Sequence, residues 1–327
     1  MAPIDPAELR DRVQAHFAAG DGADPAEARR TVRDLLDALE AGQVRAAEPG
    51  PDGWVAVPWV KEGILLAFRH GRTARFPFDD ARAGRGSADA RTGEPEDELD
   101  RERDDEQGGA RGGEPHPTRG DAPGGFRFYD RDTLPLRATD GVAEGVRIVP
   151  GGSSVRAGAH LARGVVIMPP AYVNIGAWVG EGSMIDSHAL VGSCAQIGAR
   201  VHLSAGAQIG GVLEPIGLRP VVVEDEAMIG ANTGVFEGVL VGRRAVLAPG
   251  VQLTAATPLY DLVRGRIHRS TAERPLAVPE GAVVVPGSRP AAGEFARSEG
   301  IQLYAAVIVK YRDERTDAAT ALEEVLR

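Results

Sequence analysis

The chain has 327 residues and a formal net charge of −10; 43% of its residues are hydrophobic and only 5% are aromatic. That hydrophobic share is enough for a sizeable core filled mainly by aliphatic side chains. An acidic chain without a long basic run is a poor partner for nucleic acid or for an anionic membrane surface. A single cysteine, Cys194, excludes an intrachain disulfide and a thiolate metal cluster. Because no signal peptide and no run of about 20 apolar residues is recognisable, we expect a cytoplasmic protein without a membrane span.

Residues 1–78 are predicted to form a small α-rich head domain. Asp5-Pro6 and Asp24-Pro25 each place a capping residue before a proline at the first helical position. Residues 54–69 are predicted to form a strand or a helix pair. The second helix carries an apolar stripe at three- and four-residue spacing, which predicts an amphipathic helix that ends at Gly42: Ala28, Val32, Leu35, Leu36 and Leu39.

Residues 79–125 differ in composition from the rest of the chain. They contain one large aliphatic residue, Leu99, among many Arg, Asp, Glu and Gly residues. Such a segment buries too little apolar surface to offset the entropy lost on ordering. We therefore expect a disordered acidic and glycine-rich insertion that acts as a solvated linker, with a binding tail as the alternative.

An aliphatic residue recurs every six positions in the domain predicted for residues 126–290. The series runs from Val149 to Ile209 and again from Val223 to Leu253, and a small or β-branched residue stands two positions before each member. This period fits short strands that turn a corner every six residues, three strands to a coil. We therefore predict a left-handed parallel β-helix, in which the Gly or Asn directly after each aliphatic residue adopts the left-handed backbone of the corner.

Two insertions interrupt the six-residue period, near residues 211–222 and 256–278. An insertion into a solenoid leaves the prism, so both are predicted to be external loops. Residues 291–327 are predicted to form a strand over 303–310 and a short helix that begins near Thr316, with Leu322, Val325 and Leu326 as its apolar face.

Several motifs resemble the tetrahydrodipicolinate N-succinyltransferase family of hexapeptide-repeat acyltransferases. The resemblance extends over both ends of the chain and misses mainly residues 79–125. The motifs that carry it are Trp59-Val-Lys-Glu-Gly-Ile-Leu-Leu-Ala-Phe-Arg69, Met184-Ile-Asp186, Val191-Gly-Ser-Cys-Ala-Gln-Ile-Gly198, Gly210-Gly-Val-Leu-Glu-Pro215, Phe236-Glu-Gly238 and Tyr304-Ala-Ala-Val-Ile-Val-Lys310.

The resemblance implies an activity and an assembly. Members of the family transfer a succinyl group from succinyl-CoA, a co-substrate and not a bound cofactor, to the amino group of ring-opened tetrahydrodipicolinate on the way to diaminopimelate and lysine. They are homotrimers that act on small-molecule substrates, and their active sites lie between neighbouring prisms. The thioester is already activated, so the protein has to position the amine, keep it neutral and stabilise the charge on the carbonyl oxygen.

The resemblance also assigns roles to two residues. Arg147 matches a position that binds a carboxylate of the substrate, where a guanidinium makes a bidentate contact. Asp186 matches a position near the amine, where it would orient the amine or accept its proton. Read from the period alone, Asp186 is also explained as a turn residue, and Arg147 is also explained as a surface arginine.

Further candidates rest on weaker signals. His202 and Glu237 are the lesser candidates for a catalytic base, and Lys310 is a weak candidate for contact with the CoA phosphates. His202, Glu237 and Glu214 each have a structural alternative. The single Cys194 is read as core or pocket lining. Three histidines in the repeats, His160, His188 and His202, are spaced wrongly for a zinc site of the γ-carbonic anhydrase kind.

One position departs from the family pattern. Some members carry a catalytic glutamate three residues before the Glu-Gly pair, and here that position is Gly234. Either this acid is dispensable, or Glu237 or Asp186 does its work, or the acceptor differs. The alternatives are therefore a sibling acyltransferase with another acyl-CoA or amino-acid acceptor, and a trimeric β-helix scaffold without catalytic activity.

Overall fold

A computed structural model describes residues 4–51, 53–76, 128–271 and 274–313. The predicted insertion at 79–125 and the helix predicted near Thr316 lie outside these ranges. The helices are α1 (Pro6–Ala19), α2 (Pro25–Glu40), α3 (Pro58–His70), α4 (Gly141–Glu144) and α5 (Glu294–Ser298), with a 3₁₀ turn over Gly20–Gly22. No described helix is long and apolar enough to cross a membrane.

The two predicted N-terminal helices and their caps are confirmed. The Asp5 carboxylate accepts the N–H of Ala7 at 2.9 Å, and Asp24 accepts the N–H of Ala26 at 2.8 Å. Both caps satisfy N–H groups that have no partner inside the helix. Residues 54–69 are one strand and one helix rather than a matched pair. The head strands are β1 (Ala47–Gly50), β2 (Gly53–Ala56), β3 (Thr73–Phe76) and β4 (Phe128–Arg131).

A left-handed parallel β-helix follows the head, as the six-residue period predicted. Its two-residue strands stack into three faces. The first face holds β5 (Arg147–Ile148), β8 (Val166–Ile167), β11 (Met184–Ile185), β14 (His202–Leu203), β17 (Met228–Ile229) and β20 (Val246–Leu247). The second holds β6 (Ser154–Val155), β9 (Tyr172–Val173), β12 (Leu190–Val191), β15 (Gln208–Ile209), β18 (Gly234–Val235) and β21 (Gln252–Leu253). The third holds β7 (His160–Leu161), β10 (Trp178–Val179), β13 (Gln196–Ile197), β16 (Val222–Val223), β19 (Leu240–Val241) and β24 (Ala277–Val278).

The second residue of nearly every prism strand is the aliphatic member of the series, and it points inward. Ile167, Ile185, Leu203 and Ile229 are fully buried in one continuous core. Each strand alone buries one large side chain, so a coil is stable only when its neighbours cover it.

The corner prediction was wrong about which residue takes the left-handed backbone. Positive φ occurs three positions after the inward aliphatic residue, as at Gly182 (66°), His188 (62°) and Asn232 (55°). The glycine directly after the aliphatic residue is needed for another reason. A Cβ on Gly180 would stand 2.5 Å from the carbonyl carbon of Gly198 in the next coil. These glycines therefore let successive coils approach, whereas the later position makes the turn.

Both predicted insertions leave the prism at the corner between the second and third faces. The first runs between β15 and β16. The second carries the hairpin β22 (Leu259–Asp261) and β23 (Arg266–His268), and the prism resumes at Ala277–Val278, inside the range expected for the loop. The first face then continues into β25 (Ala282–Pro290), which pairs antiparallel with β26 (Gln302–Tyr311), the strand predicted over 303–310.

The head lies against the third face. The Arg45 guanidinium stacks 3.9 Å from the Trp178 ring centroid and donates to Gln196 Oε1 at 3.0 Å. The His160 ring also stacks on Trp178, with 3.9 Å between the two ring centroids. Trp54 Nε1 donates to Glu224 Oε1 at 3.0 Å. The third face is therefore covered, and the chemistry has to be sought on the other two faces and at the corners.

Candidate active site

Three predicted site residues lie on or beside the first face. Arg147 begins β5, His202 begins β14, and Asp186 directly follows β11. The ladder runs in register from β5 through β8 and β11 to β14. With about 4.8 Å between adjacent strands, Arg147 lies roughly 10 Å along the axis from the coil of Asp186. The structure therefore places these residues along one surface.

Asp186 occupies the corner between the first and second faces. It is half-buried, and its Oδ1 accepts the N–H of Ser187 at 2.7 Å. That bond fixes the carboxylate against the corner, as expected for an aspartate next to a turn. Among the described residues Oδ2 has no hydrogen-bond partner, so one carboxylate oxygen is available to a ligand.

His202 presents an unusual nitrogen. Its ring lies on the first face between Met184 and Met228, the residues beside it in the ladder. Nε2 is inaccessible to solvent and has no hydrogen-bond partner in the described part of the chain. A buried nitrogen without a partner costs about 1–3 kcal/mol.

Glu237 lies elsewhere, at the corner between the second and third faces. Its Oε2 accepts the N–H of Ala255 at 2.9 Å. It lines a cleft of about 440 Å³, which we call the loop cleft; the other lining residues are Gly210, Gly211, Val212, Glu214, Leu218, Phe236 and Thr254. Within one chain, Glu237 and Asp186 are therefore at different corners and do not form one site.

Gly234 lies in β18, beside the loop cleft. A Cβ at this position would stand 2.2 Å from Gln252 Oε1 and 2.4 Å from Phe236 Cε2. The side chains of Gln252 and Phe236 therefore fill the space in which a side chain on residue 234 would begin. Residue 234 therefore contributes no carboxylate to the loop cleft, whose lining carboxylates are Glu214 and Glu237.

Lys310 is far from the other candidates. It pairs with Val283 in the antiparallel β25–β26 hairpin at the C-terminal end of the prism. Arg147 lies in the first coil, seven ladder steps away, which corresponds to roughly 34 Å along the axis. One chain therefore does not bring Lys310 together with Arg147 or Asp186.

A larger cleft, of about 730 Å³, opens between the head and the prism. Three of its charged side chains have partners: Arg137 Nη2 contacts Glu144 Oε2 at 2.6 Å, and Glu40 Oε1 accepts the N–H of Gly158 at 2.9 Å. Burial raises the pKa of Glu40 and lowers the pKa of His160. This cleft is part of the junction between head and prism and contains no predicted site residue.

Sequence reasoning missed one residue, Lys61, that forms a hydrogen bond with a wall residue of the loop cleft. Lys61, in α3, has no exposed surface, and its Nζ donates to the backbone carbonyl of Leu218. Cys194 is also fully buried and lies in a left-handed corner at φ 66°. Burial raises the Cys194 pKa to about 12, with an opposing effect from Lys61, which favours the protonated thiol expected of a core residue. The sequence signal that could have indicated the role of Lys61 is a lysine between the apolar residues Val60 and Ile64 of α3.

Comparison with known proteins decides the family. The N-terminal model of tetrahydrodipicolinate N-succinyltransferase matches residues 8–70, and the hexapeptide repeat of succinyl-transferase matches residues 220–255. A 2,3,4,5-tetrahydropyridine-2,6-dicarboxylate N-succinyltransferase from Polynucleobacter asymbioticus is 40% identical over 93% of this chain and 91% of its own length. The chain belongs to the tetrahydrodipicolinate N-succinyltransferase family.

Other relatives agree with this assignment. Proteins with the same name from Idiomarina loihiensis and Bradyrhizobium diazoefficiens are each 38% identical; they cover 99% and 98% of this chain, and 96% and 98% of their own lengths. Among solved structures, a hexapeptide transferase family protein from Anaplasma phagocytophilum overlaps 55% of this chain and 82% of its own, at 14% identity and a TM-score of 0.35. The assignment to the tetrahydrodipicolinate N-succinyltransferase family therefore rests on the sequence relatives.

Proposed function

We propose that this chain transfers a succinyl group from succinyl-CoA to the amino group of ring-opened tetrahydrodipicolinate, giving N-succinyl-2-amino-6-oxopimelate and free CoA. The observation that carries the proposal is the match to relatives with this activity in their names, at 40% identity over nearly the whole chain. The product belongs to the route to diaminopimelate and lysine. Because the donor is a CoA thioester, we place the enzyme in the cytoplasm.

The reaction is an acyl transfer from sulfur to nitrogen. The amine nitrogen attacks the thioester carbonyl, a C–N bond forms, the C–S bond breaks, and CoA leaves as the thiolate. An α-amine has a pKa of about 7.7–8.0, so much of it is protonated near neutral pH. A base that accepts the ammonium proton supplies the nucleophile and typically contributes about 10²–10⁴-fold to the rate.

Asp186 is the group that we assign to the amine. Its carboxylate is fixed at Oδ1 by Ser187 and is half-exposed on the prism surface. The free oxygen Oδ2 is suited to hold the ammonium group and to accept its proton. His202, one ladder step beyond β11, is the rival base, although its Nε2 is closed to solvent in one chain.

Arg147 is assigned to a carboxylate of the acceptor. It is exposed, and the roughly 10 Å between its strand and the coil of Asp186 is within the combined reach of an arginine side chain and a seven-carbon dicarboxylate. A guanidinium binds a carboxylate through two parallel hydrogen bonds. Asp186 and Arg147 together would therefore select an acceptor with an amine at one end and a carboxylate at the other.

We also propose that the chain works as a homotrimer with its active sites between neighbouring prisms. One observation supports this arrangement: Asp186 and the loop cleft with Glu237 occupy different corners of one chain. A neighbouring prism packed against the first face would bring its own loop cleft towards Asp186. Sedimentation equilibrium is expected to give three times the mass of 34.4 kDa.

Release of CoA thiol by the purified protein tests the proposed reaction. Succinyl-CoA and acetyl-CoA are compared, each with and without tetrahydrodipicolinate. The proposal predicts release only when succinyl-CoA and tetrahydrodipicolinate are both present, with the succinylated product confirmed by its mass. Release with acetyl-CoA alone as donor would change the donor assignment, and no release with either donor would contradict the proposed acceptor.

A further inference from the structure

We propose that Lys61 is a positioning residue that holds the wall of the loop cleft in place, so that the head domain supports the substrate site. The kinetic part of this inference, the change in KM, rests on the proposed function. The structural part, the immobilisation of the loop by Lys61, does not depend on it. The contact between the head and the cleft wall is a hydrogen bond that Nζ of Lys61, in α3, donates to the backbone carbonyl of Leu218. Leu218 is itself a wall residue of the cleft.

The setting of Lys61 is unusual for a lysine. Its side chain has no exposed surface, and no described carboxylate forms an ion pair with it. Removal of an ammonium group from water without a compensating anion is unfavourable, and burial accordingly lowers the Lys61 pKa. An apolar side chain of similar volume would fill this space without that cost. A contribution to stability therefore does not explain a lysine here, whereas a donor aimed at Leu218 does.

The other contacts of the loop show what the lysine adds. Leu213 packs against the apolar core of the head, and the N–H of Val212 donates to the carbonyl of Ser193 at 3.1 Å. After Leu218, Arg219 Nη2 donates to the carbonyl of Gly238 at 2.9 Å. Among the described residues, the Lys61 contact is the side-chain hydrogen bond that reaches the loop between Val212 and Arg219 from the head.

Two hydrogen bonds, from Lys61 to Leu218 and from Arg219 to Gly238, hold one wall of the cleft in place. Arg219 ties the loop to Gly238, which directly follows Phe236 and Glu237 on the opposite wall. Lys61 fixes the adjacent residue, Leu218. Loss of the Lys61 donor would leave the reacting groups unchanged and free the wall to move, so binding would weaken more than the chemical step.

Lys61→Met tests the inference, with Val32→Ala as the matched control. Val32 is buried in the head core and does not line the cleft, so its truncation loosens the head without removing the loop contact. Hydrogen exchange followed by mass spectrometry measures the loop, and steady-state kinetics measure the cleft. We expect Lys61→Met to speed amide exchange over residues 213–219 at least about tenfold and to raise KM about tenfold with kcat within about threefold of wild type. We expect neither change in Val32→Ala.

Several results would overturn the inference. Unchanged loop exchange in Lys61→Met, or the same change in Val32→Ala, would show that the lysine does not hold the loop. An equal loss in kcat at constant KM would place its effect on chemistry. If Lys61→Met does not fold, Lys61→Leu, which also lacks a donor, replaces it, and failure of both would assign Lys61 to the fold. If the wild-type protein releases no CoA, the proposed function fails, and the exchange measurement still decides the role of Lys61.

Discussion

Asparagine substitutions at Gly180 and Gly182 would separate the two roles that glycine has in this prism. Gly180 directly follows the inward Val179, and a Cβ there would stand 2.5 Å from the carbonyl carbon of Gly198 and 2.7 Å from the nitrogen of Ala199. Gly182 lies in the left-handed corner at φ 66°, where the nearest atom to a new Cβ is Arg200 Cγ at 3.7 Å. The first glycine is needed for space and the second for its backbone conformation.

The expected losses differ in size. Asparagine tolerates the left-handed region, and Asn232 already adopts it at an equivalent corner, so Gly182→Asn should cost less than about 1 kcal/mol. Gly180→Asn forces two coils apart. Overpacking costs about 1–3 kcal/mol, and weakening of the 2.9 Å bond from the N–H of Gly180 to the carbonyl of Ile197 adds about 1 kcal/mol. We therefore expect the two variants to differ by at least about 1 kcal/mol.

Urea unfolding of both variants measures this difference. Trp178 lies in the same coil, two residues before Gly180, and its fluorescence reports the loss of the third face. The free energy of unfolding should fall in the order wild type, Gly182→Asn, Gly180→Asn, with similar denaturant slopes. Equal losses at the two positions, or a larger loss at Gly182, would refute the argument that coil spacing requires glycine after the aliphatic residue.

Two further predictions concern the head junction and the cleft wall. Burial holds the His160 pKa below its ordinary 6.5, so the unfolded chain binds the proton more readily and the contribution of His160 to stability falls as the pH drops through 6.5. His160→Phe should therefore flatten that part of the plot of unfolding free energy against pH, measured by urea unfolding. An unchanged plot would contradict the assignment. Gly234→Ala should lower the melting temperature, because its Cβ would stand 2.4 Å from the Phe236 ring, and Phe236→Leu in the same chain should restore part of the loss. No restoration would contradict the assignment of the clash to the ring and would leave Gln252, whose Oε1 would stand 2.2 Å from that Cβ, as the obstacle.

The sequence predicted those parts of the fold that repeat. An inward aliphatic residue every six positions is explained by one strand geometry, so the prism and its core could be predicted from Val149 to Leu253. The N-terminal helices could also be predicted, since Asp5 and Asp24 cap their own helices through contacts two or three residues away. These features depend on local chemistry or on a strict period.

The sequence did not predict the features that depend on contacts between coils or between domains. Gly180 and Gly182 look alike in sequence, and only the stacking of coils shows that one needs space and the other needs positive φ. Asp186 stands one position after the inward Ile185 and Glu237 two positions after the inward Val235, and only the phase of the coil shows that they lie at different corners. The role of Lys61 depends on Leu218, a residue 157 positions away, so neither motif nor period could indicate it.

The turnover of Asp186→Asn and His202→Ala, measured side by side with succinyl-CoA and tetrahydrodipicolinate, tests the assignment of the catalytic base most directly. Asparagine keeps the size of the side chain and its bond to Ser187 but removes the charge that accepts the proton. We expect Asp186→Asn to lose about 10²-fold or more in kcat, as is typical of a general base, and His202→Ala to lose much less. Full turnover in Asp186→Asn together with a loss of about 10²-fold in His202→Ala would contradict the account and identify the histidine as the base.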